Sequence, residues 1–106
     1  MKTISAIIIA KNAEELIADC LDSVSFCNER IVIDAGSEDR TTEIAQRMGA
    51  SVYIHKTNDF SNMRNIGLQK AKTEWVLYID TDERITSQLA KEINNQINSK
   101  IGRAHV

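Results

Sequence analysis

Asp80-Thr81-Asp82 ends an apolar run of five residues, Trp75-Val76-Leu77-Tyr78-Ile79. A run without alternation is expected to be a strand buried on both faces, as in a parallel sheet covered by helices. Ligands of such sheets sit beyond the carboxyl ends of the strands, where Asp80 and Asp82 fall. Two carboxylates on one short turn offer hard oxygen ligands to a divalent cation and leave positions for phosphate oxygens. The competing reading is local, with Asp80 capping the next helix and Asp82 solvated. A lone D-x-D does not decide between them.

Other residues bear on the same chemistry. Asp34 follows Ile31-Val32-Ile33 and precedes Ala35-Gly36-Ser37. A carboxylate there either accepts hydrogen bonds from a nucleoside or caps the turn before the next helix, and both readings stay open. Gly36 is expected to supply a positive φ, and Ser37 and Asp39 to cap the helix. Arg64 and Asn65 open a helix after Phe60-Ser61. An arginine aimed into a crevice holds a carbonyl or a phosphate by charge-assisted hydrogen bonds. The alternative is a surface arginine paired with Asp59 or Glu74. His55 is expected to be an exposed edge residue.

The elements that must position these groups alternate. Ile4–Ala10 reads as a β-branched buried strand. Asn12 then caps a helix carrying Leu16, Ile17, Cys20, Leu21 and Val24, with Glu15 as its capping-box partner. Arg30–Asp34 is a second strand. A second helix through Glu43–Met48 stops at Gly49. Ser51–His55 is a third strand, Ser61–Ala71 a third helix and Trp75–Ile79 a fourth strand. Thr86 or Ser87 opens a last helix with Leu89, Ile93 and Ile97 on its apolar stripe. This rhythm predicts an α/β fold, a Rossmann-like three-layer parallel sheet in the order 3-2-1-4. Parallel strands bring Ala10–Asn12, Asp34–Ser37 and Asp80–Asp82 to one sheet edge. That convergence outweighs any single motif.

Composition narrows the classes. The chain has 106 residues, a net charge of −2, 42% hydrophobic residues, two cysteines and no proline. That length makes at most one small domain. The acidic balance argues against a nucleic-acid partner, and no apolar run reaches membrane-spanning length. The start Met1-Lys2-Thr3 has no secretory cleavage signal, so a cytoplasmic location is expected. Cys20 and Cys27 are expected to be buried, reduced thiols. The first turn, Ala10-Lys11-Asn12-Ala13-Glu14, lacks both G-x-G-x-x-G and a Walker lysine, which disfavours dinucleotide enzymes and NTPases. It also lacks the acidic pair of a phosphorylated receiver. A nucleotidyltransferase would carry a glycine-rich basic loop there.

The last six residues, Ile101–Val106, equal the translation of ATC GGA AGA GCA CAC GTC, which resembles a sequencing-library adapter. Residues 101–106 are therefore expected to be a non-native tail, with Lys100 the last native residue.

Four stretches together resemble the nucleotide-binding half of a family 2 glycosyltransferase of the GT-A fold: Ile4–Glu15, Arg30–Ala45, Phe60–Ala71 and Glu74–Glu83. F-x-x-x-R-N followed by W-V-L-x-I-D-x-D-E is especially similar to the lipopolysaccharide-core glucosyltransferase subgroup. The resemblance implies that residues 1–100 are the nucleotide-sugar-binding half of such a domain. It implies that Ala10, Lys11, Asn12 and Glu14 surround the nucleoside, Asp34 binds the base, and Arg64 holds the base or diphosphate. Asp80, Thr81 and Asp82 would contact the donor, with Asp80 and Asp82 holding Mn2+ or Mg2+ and Glu83 supporting their loop. The implied reaction is inverting transfer of a sugar from a UDP-sugar to an acceptor hydroxyl, with the base and acceptor site in a second half. A glycan or lipid-linked acceptor at the inner face of the membrane fits that subgroup. Strand four is then expected to leave Trp75, Leu77 and Tyr78 as an open apolar edge for that second half, so that the chain alone is poorly soluble or loosely folded. The non-catalytic alternative is a flavodoxin-like interaction or nucleotide-binding module.

Overall fold

A computed structural model of the chain describes residues 3–98. The expected boundary after Lys100 and the six-residue tail lie outside the described residues. The elements run β1 Ile4–Ala10, α1 Ile17–Ser23, β2 Glu29–Asp34, α2 Thr41–Arg47, β3 Ser51–Ile54, α3 Met63–Lys70, β4 Trp75–Asp80 and α4 Ser87–Asn98. All strand pairs are parallel and the sheet order is β3-β2-β1-β4, as the alternation predicts. Register places Ala10 beside Asp34 and Ile9 beside Asp80, so three strand ends share one edge.

The sheet is covered on both faces, which is why β1 reads as an unbroken apolar run. On one face Ile4, Ala6, Ile8 and Ala10 pack with Ile17, Cys20 and Leu21 of α1, Ala45 of α2, and Ile93 and Ile97 of α4. On the other, Ile31 and Ile33 pack against Met63 of α3. Fully burying one such isoleucine contributes roughly 1.5–3 kcal/mol, so the central strands are the costliest part of the fold to disturb.

Several local expectations change. Asn12 does not cap α1. It sits at φ 50°, in the left-handed region that asparagine tolerates, and the helix begins only at Ile17 with no side-chain cap. The reason is that the Asn12 side chain is engaged elsewhere, accepting the Glu38 amide at 2.8 Å. Ser37 does not cap α2 either. The N-cap position is Arg40, which has no side-chain cap, and Asp39 just before it closes the entering turn through the Thr41 amide at 3.0 Å and the Thr41 hydroxyl. Gly36 takes φ 111° as expected, and Gly49 ends α2 at φ 88°. Thr86 caps α4 by accepting the Leu89 amide at 3.1 Å. Ile93 and Ile97 are buried, but Leu89 is exposed because the core ends before that turn.

β4 has β1 on one side and no strand on the other among the described residues. Its apolar side chains are nevertheless mostly covered, with Tyr78 half-buried. Trp75 and Leu77 are buried in the core formed with α1 and α4, so the expected open apolar edge is chiefly a backbone edge. The Trp75 indole Nε1 is the exception, buried with no hydrogen-bond partner.

Candidate functional site

The site is built at the carboxyl edge of the sheet. Ile9, Ala10 and Lys11 leave β1, Asp80 ends β4, and Phe60, Ser61 and Arg64 approach from the start of α3. Together they line one open cleft of about 580 Å³. Arg64 is therefore a crevice residue. Its guanidinium lies 5.4 Å from the centre of the Tyr78 ring, a cation–π arrangement, and it makes no ion pair with Asp59 or Glu74. The cleft thus presents a lysine, an arginine and an aspartate around an apolar floor. That combination suits a polyanion bearing a flat apolar group.

Asp80 and Asp82 are both exposed, and neither carboxylate accepts a hydrogen bond or an ion pair from the described residues. The Asp80 side chain does not cap a helix. Instead the turn closes on itself, with the Asp80 amide donating to Glu83 Oε1 at 2.7 Å and the Glu83 amide to the Asp80 carbonyl at 2.9 Å. Glu83 is thereby a builder of the loop. No group of three side chains able to hold a metal occurs among the described residues. The turn offers a cation two carboxylates and no more, which leaves most of a divalent ion's positions for other oxygens. Thr81 lies between them, half-buried.

Asp34 is 1% exposed, and its own turn occupies it. Its Oδ2 accepts the Gly36 and Ser37 amides at 3.0 and 2.7 Å, and its Oδ1 accepts the Ser37 hydroxyl at 2.5 Å. The turn-capping role is therefore present. A carboxylate has about four acceptor sites, so these three bonds leave one acceptor position, but Asp34 itself does not line the cleft of Lys11, Arg64 and Asp80.

Asn12 and Glu14 lie apart from the cleft. They line a smaller hollow of about 240 Å³ with Asp39, and they belong to a zipper between two loops. The Asn12 amide donates to Ser37 Oγ at 2.8 Å, the Ala13 amide to Thr41 Oγ1 at 2.8 Å and the Glu14 amide to Asp39 Oδ2 at 3.1 Å. Glu14 Oε2 in return accepts the Arg40 amide at 3.3 Å. Burial works to raise the Asp39 carboxyl, but the Thr41 hydroxyl and the Thr41 and Glu14 amides outweigh it and hold it below its ordinary value. Sequence reasoning passed over Ser37, Thr41 and Asp39 as joining residues, because a bond across 25 or more positions leaves no local signal. Ser61 was findable, since it lies in the turn that leads into the helix carrying Arg64.

A larger groove of about 810 Å³ runs between α1 and the start of α4, lined by Asp19, Asp22, Arg84 and Lys91 among others. It holds none of the converging strand ends. Size alone does not mark the functional cleft here, and the strand-end geometry decides for the smaller one.

The family model described as Glycosyl transferase family 2 matches residues 5–99. An uncharacterized glycosyltransferase of Rickettsia typhi is 37% identical over 94 residues, covering 88% of this chain and 32% of that protein. The crystal structure of S. aureus TarS 1-349 superposes with a TM-score of 0.76 at 26% identity, over 93% of this chain and 33% of that one. Glucosyl-3-phosphoglycerate synthase from Mycobacterium tuberculosis, in complex with Mn2+, UDP and glucosyl-3-phosphoglycerate, matches with a TM-score of 0.62 at 27% identity, over 76% of this chain and 33% of that one. The chain spans a fifth to a third of the length of the curated relatives it matches. Strand order, the strand-end carboxylates and the extent of the match agree: the chain belongs to glycosyl transferase family 2.

Proposed function

We propose that residues 1–100 form the donor-binding half of a GT-A glycosyltransferase domain that moves a sugar from a UDP-sugar to an acceptor hydroxyl with inversion. One observation carries this reading: Lys11, Arg64 and Asp80 meet in a single cleft at the carboxyl edge of the sheet. Lys11 and Arg64 would offset diphosphate charge, and the apolar floor at Ile9 and Ala10 would receive the flat base. Asp34, with its remaining acceptor site, would take a donor from that base. Ala10, Asn12, Glu14 and Thr81 complete the donor's surroundings in this reading, Asn12 and Glu14 by fixing the loop that carries Lys11. The two unpartnered carboxylates of Asp80 and Asp82 fit Mn2+ or Mg2+, which prefer oxygen ligands. Such an ion supplies Lewis acidity to the departing diphosphate.

The base that takes the acceptor proton and the acceptor site belong, in this reading, to sequence beyond this half. A glycan or lipid-linked acceptor of the cell envelope, reached from the cytoplasm at the inner face of the membrane, follows from the similarity of the Phe60–Asn65 and Trp75–Glu83 motifs to the lipopolysaccharide-core subgroup. None of the described helices is long and apolar enough to cross a membrane. A second reading, a nucleotide-binding module without catalysis, draws on the burial of Trp75 and Leu77 in the chain's own core.

Calorimetric titration with UDP, with and without Mn2+, tests the proposal. UDP binds more tightly with Mn2+, Asp82→Ala removes only the metal-dependent part, and Asp34→Ala weakens binding in both conditions. No binding by a folded sample, or equal losses from both substitutions in both conditions, would sink it.

A further inference from the structure

We infer that Arg84 is a positioning residue that holds the Asp80–Glu83 turn in the shape in which Asp82 meets a divalent cation, an inference that rests on the donor-site reading above. Arg84 Nη1 donates to the Thr81 carbonyl and to the Glu83 carbonyl, each at 2.6 Å. The Thr81 carbonyl belongs to the peptide that enters Asp82 and the Glu83 carbonyl to the peptide that leaves Glu83, so one guanidinium group brackets the Asp82-Glu83 segment from both ends. Arg84 Nη2 donates at 3.1 Å to the carbonyl of Leu16, the residue that enters α1. The helix it reaches is anchored, since Ile17, Cys20 and Leu21 are each 0% exposed. A second tie runs from the same helix, with the Cys20 thiol donating to the Asp80 carbonyl at 3.5 Å.

The choice of partners matters. Three carboxylates crowd within four residues, Asp80, Asp82 and Glu83, and the nearby guanidinium offsets part of their repulsion. Yet Arg84 bonds carbonyls and forms no ion pair with these acids. The turn is held while the carboxylates stay open. A lysine has the charge but not the planar fork that serves several acceptors at once.

The test compares the chain with its Arg84→Lys and Arg84→Gln variants. Mn2+ uptake in the presence of UDP is read from the paramagnetic resonance of free Mn2+. Amide hydrogen exchange at Asp80 and Glu83 is measured without metal. Both variants should take up Mn2+ roughly ten- to hundredfold more weakly, the usual cost of losing a group that orients a ligand. Both turn amides should exchange faster while β1 amides keep their rates. A merely electrostatic role predicts the opposite for Gln, because removing a positive charge near the site should strengthen cation binding. An Arg84→Gln chain that takes up Mn2+ as tightly as the unaltered chain, or turn amides at unaltered rates in both variants, overturns the proposal alone. An unaltered chain that takes up no Mn2+ with UDP overturns the donor-site reading and this proposal with it. Should the Gln variant unfold, the Lys variant carries both readouts.

Discussion

The amide of Asn12 donates to the hydroxyl of Ser37 at 2.8 Å, across a separation of 25 residues. The same hydroxyl donates onward to Asp34. Two turns that follow different strands are thus joined through one serine, and the crevice edge from Ala10 to Thr41 behaves as one unit.

Ser37→Ala removes both bonds of that hydroxyl and should cost about 1–3 kcal/mol in urea denaturation, from roughly 0.5–1.5 kcal/mol per bond. Asp34→Ala should cost more, because it strands the Gly36 and Ser37 amides as well as the Ser37 hydroxyl. The reverse ranking would contradict the joined-loop description.

Gly67 lets α3 lie close on the sheet. A Cβ at this position would fall 2.4 Å from Cγ2 of Ile7. In an exposed helix, glycine to alanine gains up to about 1 kcal/mol. Here the clash should win, with Gly67→Ala destabilising by roughly 1–3 kcal/mol. The displaced helix carries Arg64, so UDP affinity should fall too. A stabilised variant would show that α3 floats freely above β1.

Acid stability should depend on Asp39. Its carboxyl lies below its ordinary value of 3.8 in the folded chain. A depressed carboxylate contributes stability that is present above that ordinary value and is lost as pH falls through the folded value. Unfolding free energy should therefore decline below about pH 4, and Asp39→Asn should flatten part of that decline. Identical acid limbs for both chains would remove Asp39 from the account.

Both thiols should resist reagents. Burial pushes Cys20 up to about 11 and Cys27 up to about 12. The folded chain should react slowly with a disulfide reagent at pH 8 and fully in denaturant. The sign for stability is alkaline. Raised thiols contribute stability that is full below their ordinary value of 9.0 and is lost as pH rises through 11 to 12. Rapid labelling of the folded chain would contradict the burial of α1.

The architecture was legible because β1, β2 and β4 carry apolar runs and the first and last helices carry apolar stripes, from Ile4–Ala10 to Ile93 and Ile97, with β3 and the two middle helices placed by the alternation between them. The β3-β2-β1-β4 order is one of the few that alternation and right-handed crossovers allow, and it is the one expected from the sequence. What escaped was set by contacts distant in sequence. Asn12 carries every mark of a cap, but Glu38 claims its side chain from another loop. Trp75 and Leu77 read as an edge awaiting a partner, whereas the chain's own helices cover them. Arg84 carries no periodic or motif signal, and only coordinates reveal that its fork serves three carbonyls.

The most direct test of the central claim is paramagnetic broadening of backbone amide resonances by Mn2+ in the presence of UDP. The account predicts that broadening centres on Asp80–Glu83 and extends to Ala10, Lys11 and the Phe60–Arg64 segment, and that Asp82→Ala abolishes it. Broadening centred instead on Asp19 and Asp22 in the larger groove, or indifferent to Asp82→Ala, would contradict it.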